Sequence, residues 1–339
     1  MKAAVYLGKH ILKVQDVEVR PPAADEVVIK VQACGVCGTD IHIYEGAEGA
    51  AKCEPPTILG HEFSGIVYEM GSNVKNFRPG DRVCVDPNDM CGHCYFCRNG
   101  KAHFCENMIG IGTTVDGGFA EFCTVREKQV YSIGDSLSFE EAEMAEPVAC
   151  CLHGMDLTEV KPGDTVLLIG GGTIGLIMLQ LVKLSGASAI ILVEPVKEKR
   201  ELAVKLGADI TVDPVKNDLG EVLSANGINH IDKVIECVGL KSTVMDALRY
   251  VGRGGTVMLF GLTHPDCEVP LKPFDVFKKE FSIKASYINP YTQGRAVELL
   301  NSGRINVRDL IADKVKLTDI IKVFEDSSYR SCGKIIIEP

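Results

Sequence analysis

Residues 165 to 175 read Thr165-Val166-Leu167-Leu168-Ile169-Gly170-Gly171-Gly172-Thr173-Ile174-Gly175. The first five are mostly branched or long aliphatics without polar alternation, which suits a strand covered on both faces. The glycines that follow supply G-x-G-x-x-G at Gly170, Gly172 and Gly175. The first glycine permits the turn, the second lets a pyrophosphate approach the backbone, and the third packs a helix against the strand. An apolar run over 174–185 predicts that helix, and its N-terminus, with Thr173 and Ile174 at its start, faces the negative charge. Glycine triplets also occur in ordinary tight turns. The position between strand and helix gives this one its meaning.

Outward from the loop, Ala189-Ile190-Ile191-Leu192-Val193 forms the next strand and Glu194 closes it. A carboxylate there accepts hydrogen bonds from adenine ribose hydroxyls and repels a 2′-phosphate, which favours NAD. Lys199 and Arg200, a helical turn later, soften that preference. A helix over Lys197–Leu206 ends at Gly207, and apolar segments at 233–237 and 256–260 continue the rhythm. Strands alternating with helices of this length imply a parallel sheet with right-handed crossovers. Before about Pro147 the rhythm differs. Short strand signals, such as Val27-Val28-Ile29-Lys30-Val31, are divided by turns, as expected of a β-rich, irregular domain.

Two constellations in that first region carry metal chemistry. Cys91, Cys94, Cys97 and Cys105 follow C-x2-C-x2-C-x7-C, a spacing that folds back to offer four thiolates to one tetrahedral zinc. Four thiolates close the coordination shell, so this zinc holds a loop; His93, inside the cluster, reads as a solvated loop residue. The second set combines Cys37-Gly38-Thr39-Asp40-Ile41-His42 with Gly60-His61-Glu62 and, later, Glu146-Pro147. A catalytic zinc wants about three protein ligands and one exchangeable position. Cys37 and His61 supply two, and Glu62 or Glu146 completes the set, one directly and the other through water. Such a metal acidifies an alcohol, after which hydride passes to a nicotinamide ring. Thr39 is placed to take the alcohol proton and His42 to relay it. Asp40 reads as a cap.

Composition bounds the rest. A chain of 339 residues calls for two domains, and its net charge of −10 argues against nucleic-acid binding. No apolar run reaches the roughly 18–20 residues needed to span a bilayer. The start, Met1-Lys2-Ala3-Ala4-Val5-Tyr6, lacks a signal-peptide core, so a cytoplasmic enzyme without membrane partners is expected. In a reducing compartment, the 14 cysteines suit metal binding better than disulfides.

The motifs at 37–42, 60–65, 91–105, 146–147 and 170–175, in this order along the whole chain, resemble the zinc-dependent medium-chain dehydrogenase/reductase family, particularly its sorbitol and threonine dehydrogenase branches. The resemblance implies an α/β protein: a GroES-like catalytic domain over 1–148 and 285–339, interrupted by a Rossmann NAD-binding domain over 149–284. It implies an active site in the cleft between them, with Cys37, His61, Glu62 and Glu146 in the catalytic zinc sphere and Thr39 with His42 in the proton relay. It places Val238, Gly239, Phe260, Gly261 and Leu262 at the nicotinamide, and it implies two zinc ions per subunit and a homodimer or homotetramer.

Two departures bear on substrate. Ile43 stands where sorbitol dehydrogenases typically place Tyr, and Tyr287-Ile288-Asn289 stands where they carry Phe-Arg-Tyr. Asn289 retains a group able to hydrogen-bond a hydroxyl, while Ile43 and Ile288 suit a more apolar alcohol. The expected reaction is the interconversion of a polyol-like secondary alcohol and its ketone. A β-hydroxy amino acid such as threonine is the alternative, with Arg295 or Lys284 facing its carboxylate. A non-catalytic NAD-binding scaffold would be expected to lose metal ligands or the relay hydroxyl, and a zinc-free quinone reductase is opposed by both metal sets.

Overall fold

The protein is described by a computed structural model covering residues 1–47, 52–329 and 333–339. It divides into two compact units, Met1–Ala149 with Ile288–Pro339, and Cys150–Tyr287. The second division falls three residues beyond the expected one. The reason is local: Ala285 pairs with Leu259 as the last rung of a strand that belongs to the second unit's sheet.

That sheet has six parallel strands in the spatial order Ile210–Val212, Ala189–Val193, Thr165–Ile169, Lys233–Glu236, Thr256–Leu259, Ser282–Ala285. Numbered along the chain this is 3-2-1-4-5-6, the doubly wound order, with its switch point between the first and fourth strands. Val166, Leu167 and Leu168 are fully buried, as the unbroken apolar run requires. Each such side chain contributes about 1.5–3 kcal/mol relative to exposure. The helix after the glycine loop spans Thr173–Leu184 and buries Leu176, Ile177, Met178, Leu179, Leu181 and Val182.

The first unit is built on a seven-stranded sheet whose pivot is the strand Glu26–Gly35. Glu62–Met70 and Phe122–Arg126 pair with it antiparallel, and so does the C-terminal strand Lys334–Glu338, through Ile336↔Gly35 and Ile337↔Cys34. A chain segment some 300 residues downstream thus completes the first sheet. Its core joins Ile29, Phe63, Val67, Val83, Phe119, Phe324 and Ile337. Among the described residues, no helix is long and apolar enough to cross a membrane.

Candidate metal centres and dinucleotide cradle

The end of Glu26–Gly35 and the start of Glu62–Met70 lie side by side, Gly35 opposite Glu62. Past Gly35 the chain turns through Cys37 into the short helix Gly38–Tyr44, for which Cys37 is the N-cap. The Cys37 N–H donates to Asp40 Oδ2 at 2.9 Å, so Asp40 fixes the turn that presents the thiol. Its other oxygen faces His61 Nδ1 at 3.4 Å, and Asp40 is fully buried. Ligand atoms of Cys37, His61 and Glu62 all lie within 4.8 Å of one another. Glu146, although buried on the first turn of the helix Ala145–Thr158, falls outside this three-residue group.

Burial disfavours a charged His61, yet the Asp40 carboxylate and the Cys37 thiol outweigh it and raise the ring well above its ordinary pKa. His61 Nδ1 and Asp40 Oδ1 are both buried without a satisfied hydrogen bond. A thiol, an imidazole and a carboxylate converging in a buried place, with the imidazole steered by a second carboxylate, is a donor set fit for zinc. With Nδ1 turned to Asp40, Nε2 is the nitrogen available to a metal. Thr39 and His42 sit three residues apart on the helix, both half-buried.

Beneath this group lie two residues with no sequence signal. Lys334 forms a buried ion pair with Glu62 and donates to the Val36 carbonyl at 3.3 Å. Burial opposes its charge, but Glu62, Glu143 and Cys37 raise its pKa. Glu143 is 1% exposed, and neither of its carboxylate oxygens has a hydrogen-bond partner. Burial, with help from Glu62 and Glu146 and against the pull of Lys334, raises it well above the usual carboxylate range. An unpartnered buried polar group costs roughly 1–3 kcal/mol. Only its spacing of three from Glu146 hints at Glu143 in the sequence.

The four cysteines of the lobe also converge, their sulfurs within 4.8 Å of one another. Cys91 Sγ and Cys97 Sγ are 4.0 Å apart. Bonds of about 2.3 Å to one tetrahedral ion would set sulfurs roughly 3.8 Å apart. Backbone N–H groups of Cys91 and Asn107 donate to Cys105 Sγ, and that of Cys94 donates to Cys91 Sγ. The backbone amide of His93, above all, holds Cys91 down at about 6, whereas burial and the neighbouring Cys94 push Cys97 up to about 12. The His93 side chain is exposed.

In the second unit the residues expected at the dinucleotide gather at the carboxyl ends of the strands. Gly170 takes φ +104°, closed to most side chains. A Cβ on Gly172 would meet nothing, whereas one on Gly175 would strike the Gly170 carbonyl. This is the open approach and close packing that a pyrophosphate cradle needs. Glu194 is locked in place: Gly171 N–H donates to Oε2 at 2.8 Å and Val196 N–H to Oε1 at 2.9 Å. Arg200 is tied to the Glu194 and Pro195 carbonyls, each at 2.7 Å, and to Asp213 at 3.1 Å. Glu236, which no motif announces, is fully buried and accepts the N–H groups of Val238 and Gly239 at 2.8 and 2.9 Å. It thereby shapes the loop that runs beside Gly261 and Leu262. Phe260 lies against Gly154, where an added Cβ would meet its ring at 2.9 Å.

Three substrate expectations are corrected. Asn289 is fully buried and spent on an internal network: Asn88 donates to it at 2.6 Å, and it donates to Asp86 and Gln293. Ile43 is 2% exposed and belongs to the core of the first unit. Lys284 donates to the Leu157 carbonyl at 2.7 Å and to Glu159 at 2.9 Å, so its charge is already answered. Helical phase turns Ile43 inward, and side-chain amides and ammonium groups near a core seek nearby partners first.

Comparisons with known proteins agree with both halves. A model of the alcohol dehydrogenase GroES-like domain matches residues 23–135, and a model of the zinc-binding dehydrogenases matches residues 173–302. D-arabinitol dehydrogenase 1 of Uromyces fabae is 37% identical over 319 residues, 93% of this chain and 90% of that one. L-threonine 3-dehydrogenase of Caldanaerobacter subterraneus subsp. tengcongensis is 35% identical over 341 residues, 98% of this chain and 96% of that one. A Sinorhizobium meliloti 1021 protein, described as a zinc-binding dehydrogenase and solved bound to NADP, superposes with a TM-score of 0.96 at 38% identity, covering 100% of this chain and 99% of its own. With these matches, the chain belongs to the zinc-dependent medium-chain dehydrogenase/reductase family and is a zinc- and NAD(P)-dependent oxidoreductase acting on CH–OH groups.

Proposed function

We propose that this enzyme oxidises a polyol-like secondary alcohol to its ketone, and catalyses the reverse, with Cys37, His61 and Glu62 holding its reactive zinc. The observation that carries the reading is the meeting of those three unlike donors within 4.8 Å in a buried place. When bound, zinc supplies Lewis acidity to a substrate oxygen and the nicotinamide supplies a hydride acceptor. The chain's own residues do the rest. Asp40 orients His61 and fixes the turn at Cys37. Thr39 Oγ1 takes the hydroxyl proton of the alcohol as it gives up its own, and the His42 ring, one helical turn on, receives the proton released. Glu146 stands by as the carboxylate that acts through water. Cys91, Cys94, Cys97 and Cys105 hold a second zinc that braces their loop.

The glycine loop and Glu194 hold the pyrophosphate and adenosine ends of the dinucleotide, while Val238, Phe260, Gly261 and Leu262 line its nicotinamide end. A Glu194 carboxylate already fixed by two amides favours NAD over its 2′-phosphorylated form. The relatives include both D-arabinitol and L-threonine dehydrogenases, and a polyol is preferred over threonine because Lys284, a cation that could face a carboxylate, is answered by Glu159. The outer edge of Ser282–Ala285 carries no strand among the described residues. It is the surface on which a second copy would pair to give a homodimer or homotetramer. No disulfide joins the described cysteines, which suits a reducing cytoplasm.

Zinc content and a screen of polyols, threonine and simple secondary alcohols, read by nicotinamide absorbance, test the reading. Two zinc ions per subunit and turnover of a polyol support it. One zinc ion, or turnover of threonine alone, contradicts it.

A further inference from the structure

Glu62 serves two positive charges. One is the metal expected at Cys37 and His61; the other is the Lys334 ammonium, paired with Glu62 in a place where both side chains are 5% exposed or less. Strand register makes the arrangement unavoidable, since Gly35 lies opposite Glu62 on one side and Ile336 on the other. Glu62 stands within 4.8 Å of the Cys37 and His61 ligand atoms while paired. Closing to bonding distance of a metal draws it from the ammonium, which a protein interior does not leave without a replacement counter-ion. A replacement is at hand. Glu143 is 1% exposed with both oxygens unpartnered, and a Cβ added to Gly35 would collide with the Glu143 and Glu62 carboxylates alike. Glycine at 35 therefore leaves the two carboxylates neighbours across one small space.

We propose that Glu143 is a positioning residue of the metal centre: it is the second acceptor for the Lys334 ammonium, taken up when Glu62 turns to the zinc. The buried carboxylate without a partner is thus explained as the waiting half of an exchange. Lys334 has three donors on a flexible stem, so the exchange needs rotation of a side chain and no movement of the strand. Removing Glu143 leaves the ammonium only the uncharged Val36 carbonyl besides Glu62, which keeps Glu62 on Lys334 and away from the metal.

The inference rests on the assignment of Cys37, His61 and Glu62 as the reactive zinc site, and the test separates the two. Zinc affinity is measured on the whole protein by chelator competition, and the centre is then loaded with cobalt(II) for its absorption spectrum. Glu143→Ala is expected to weaken zinc at this centre about 10- to 100-fold, the range for loss of a residue that supports a metal ligand. Its cobalt spectrum should shift as a carboxylate leaves, while the four-cysteine zinc stays bound. Glu143→Gln keeps an oxygen for the ammonium and should fall between, roughly three- to tenfold weaker. In a Glu62→Ala background, removal of Glu143 should change neither affinity nor spectrum, because its effect passes through Glu62. Wild-type affinity and spectrum in both single variants, or an undiminished effect without Glu62, would overturn the proposal. A wild-type protein holding one zinc would instead defeat the metal assignment beneath it.

Discussion

The two metal-type clusters of the first unit are made in opposite ways. The lobe draws four like ligands from residues 91 to 105, a stretch that folds back on itself and bonds its own backbone amides to its sulfurs. The other cluster takes three unlike ligands from two segments, and its support comes from Asp40, Glu143 and Lys334, the last drawn from the far end of the chain. A local, closed, all-sulfur set can brace a loop but has no position left for a substrate. A mixed set of three spread over a sheet would leave a fourth position open on a zinc ion, and it depends on strand register for its shape. The difference is one between chelation and assembly.

The sharpest way to break this comparison is Cys37→Ser. Turnover should fall by at least about a thousandfold with loss of the Lewis acid, and zinc should drop from two ions to one. Dinucleotide binding, followed by fluorescence titration, should persist because the glycine loop belongs to the other unit. A variant that keeps full activity, or loses both ions, would erase the distinction between the clusters.

Cys97→Ser addresses the opposite cluster. It should also remove one zinc, but its main effect should be on stability, a fall in Tm of roughly 5–10 °C by calorimetry, with turnover lost only as the folded fraction declines. An unchanged Tm would show that the lobe braces nothing.

Acid should test the mixed cluster next. His61 in the metal-free centre holds a proton more firmly than an ordinary histidine, owing to Asp40 and Cys37. Zinc must displace that proton, so its affinity there should fall as pH is lowered, by about tenfold per unit for each proton displaced. Asp40→Asn lowers the proton affinity and flattens this dependence while weakening zinc through loss of orientation. A slope identical in both proteins would remove Asp40 from the account.

Smallest of all is Glu194→Ala in the second unit, expected to erode the preference for NAD over NADP by about tenfold or less. The ratio of kcat/KM values measures it, and a ratio that does not move would leave Glu194 with only its two backbone bonds to explain it.

Much of the fold and of both clusters is legible in the order of residues alone. Periodicity places Thr165–Ile169 and the helix after it, because a strand buried on both faces must be apolar throughout. The spacing of Cys91, Cys94, Cys97 and Cys105 announces its own cluster, since ligands so close in sequence can hardly avoid meeting. Asn289 and Ile43 mislead for a common reason. A residue type shows what a side chain can bond, whereas the direction it points depends on helix phase and on neighbours that periodicity does not name.

What the sequence determined unaided, then, is everything governed by short separations: the glycine turn, the thiolate lobe, the alternation of strand and helix, and through them the family chemistry. Tertiary structure alone decided that Lys334 reaches Glu62 and that Glu143 lies beside them without a hydrogen-bond partner. Those contacts follow from which strand edges pair and in what register. Register is settled by the packing of a whole face at once, so no local stretch of residues carries it.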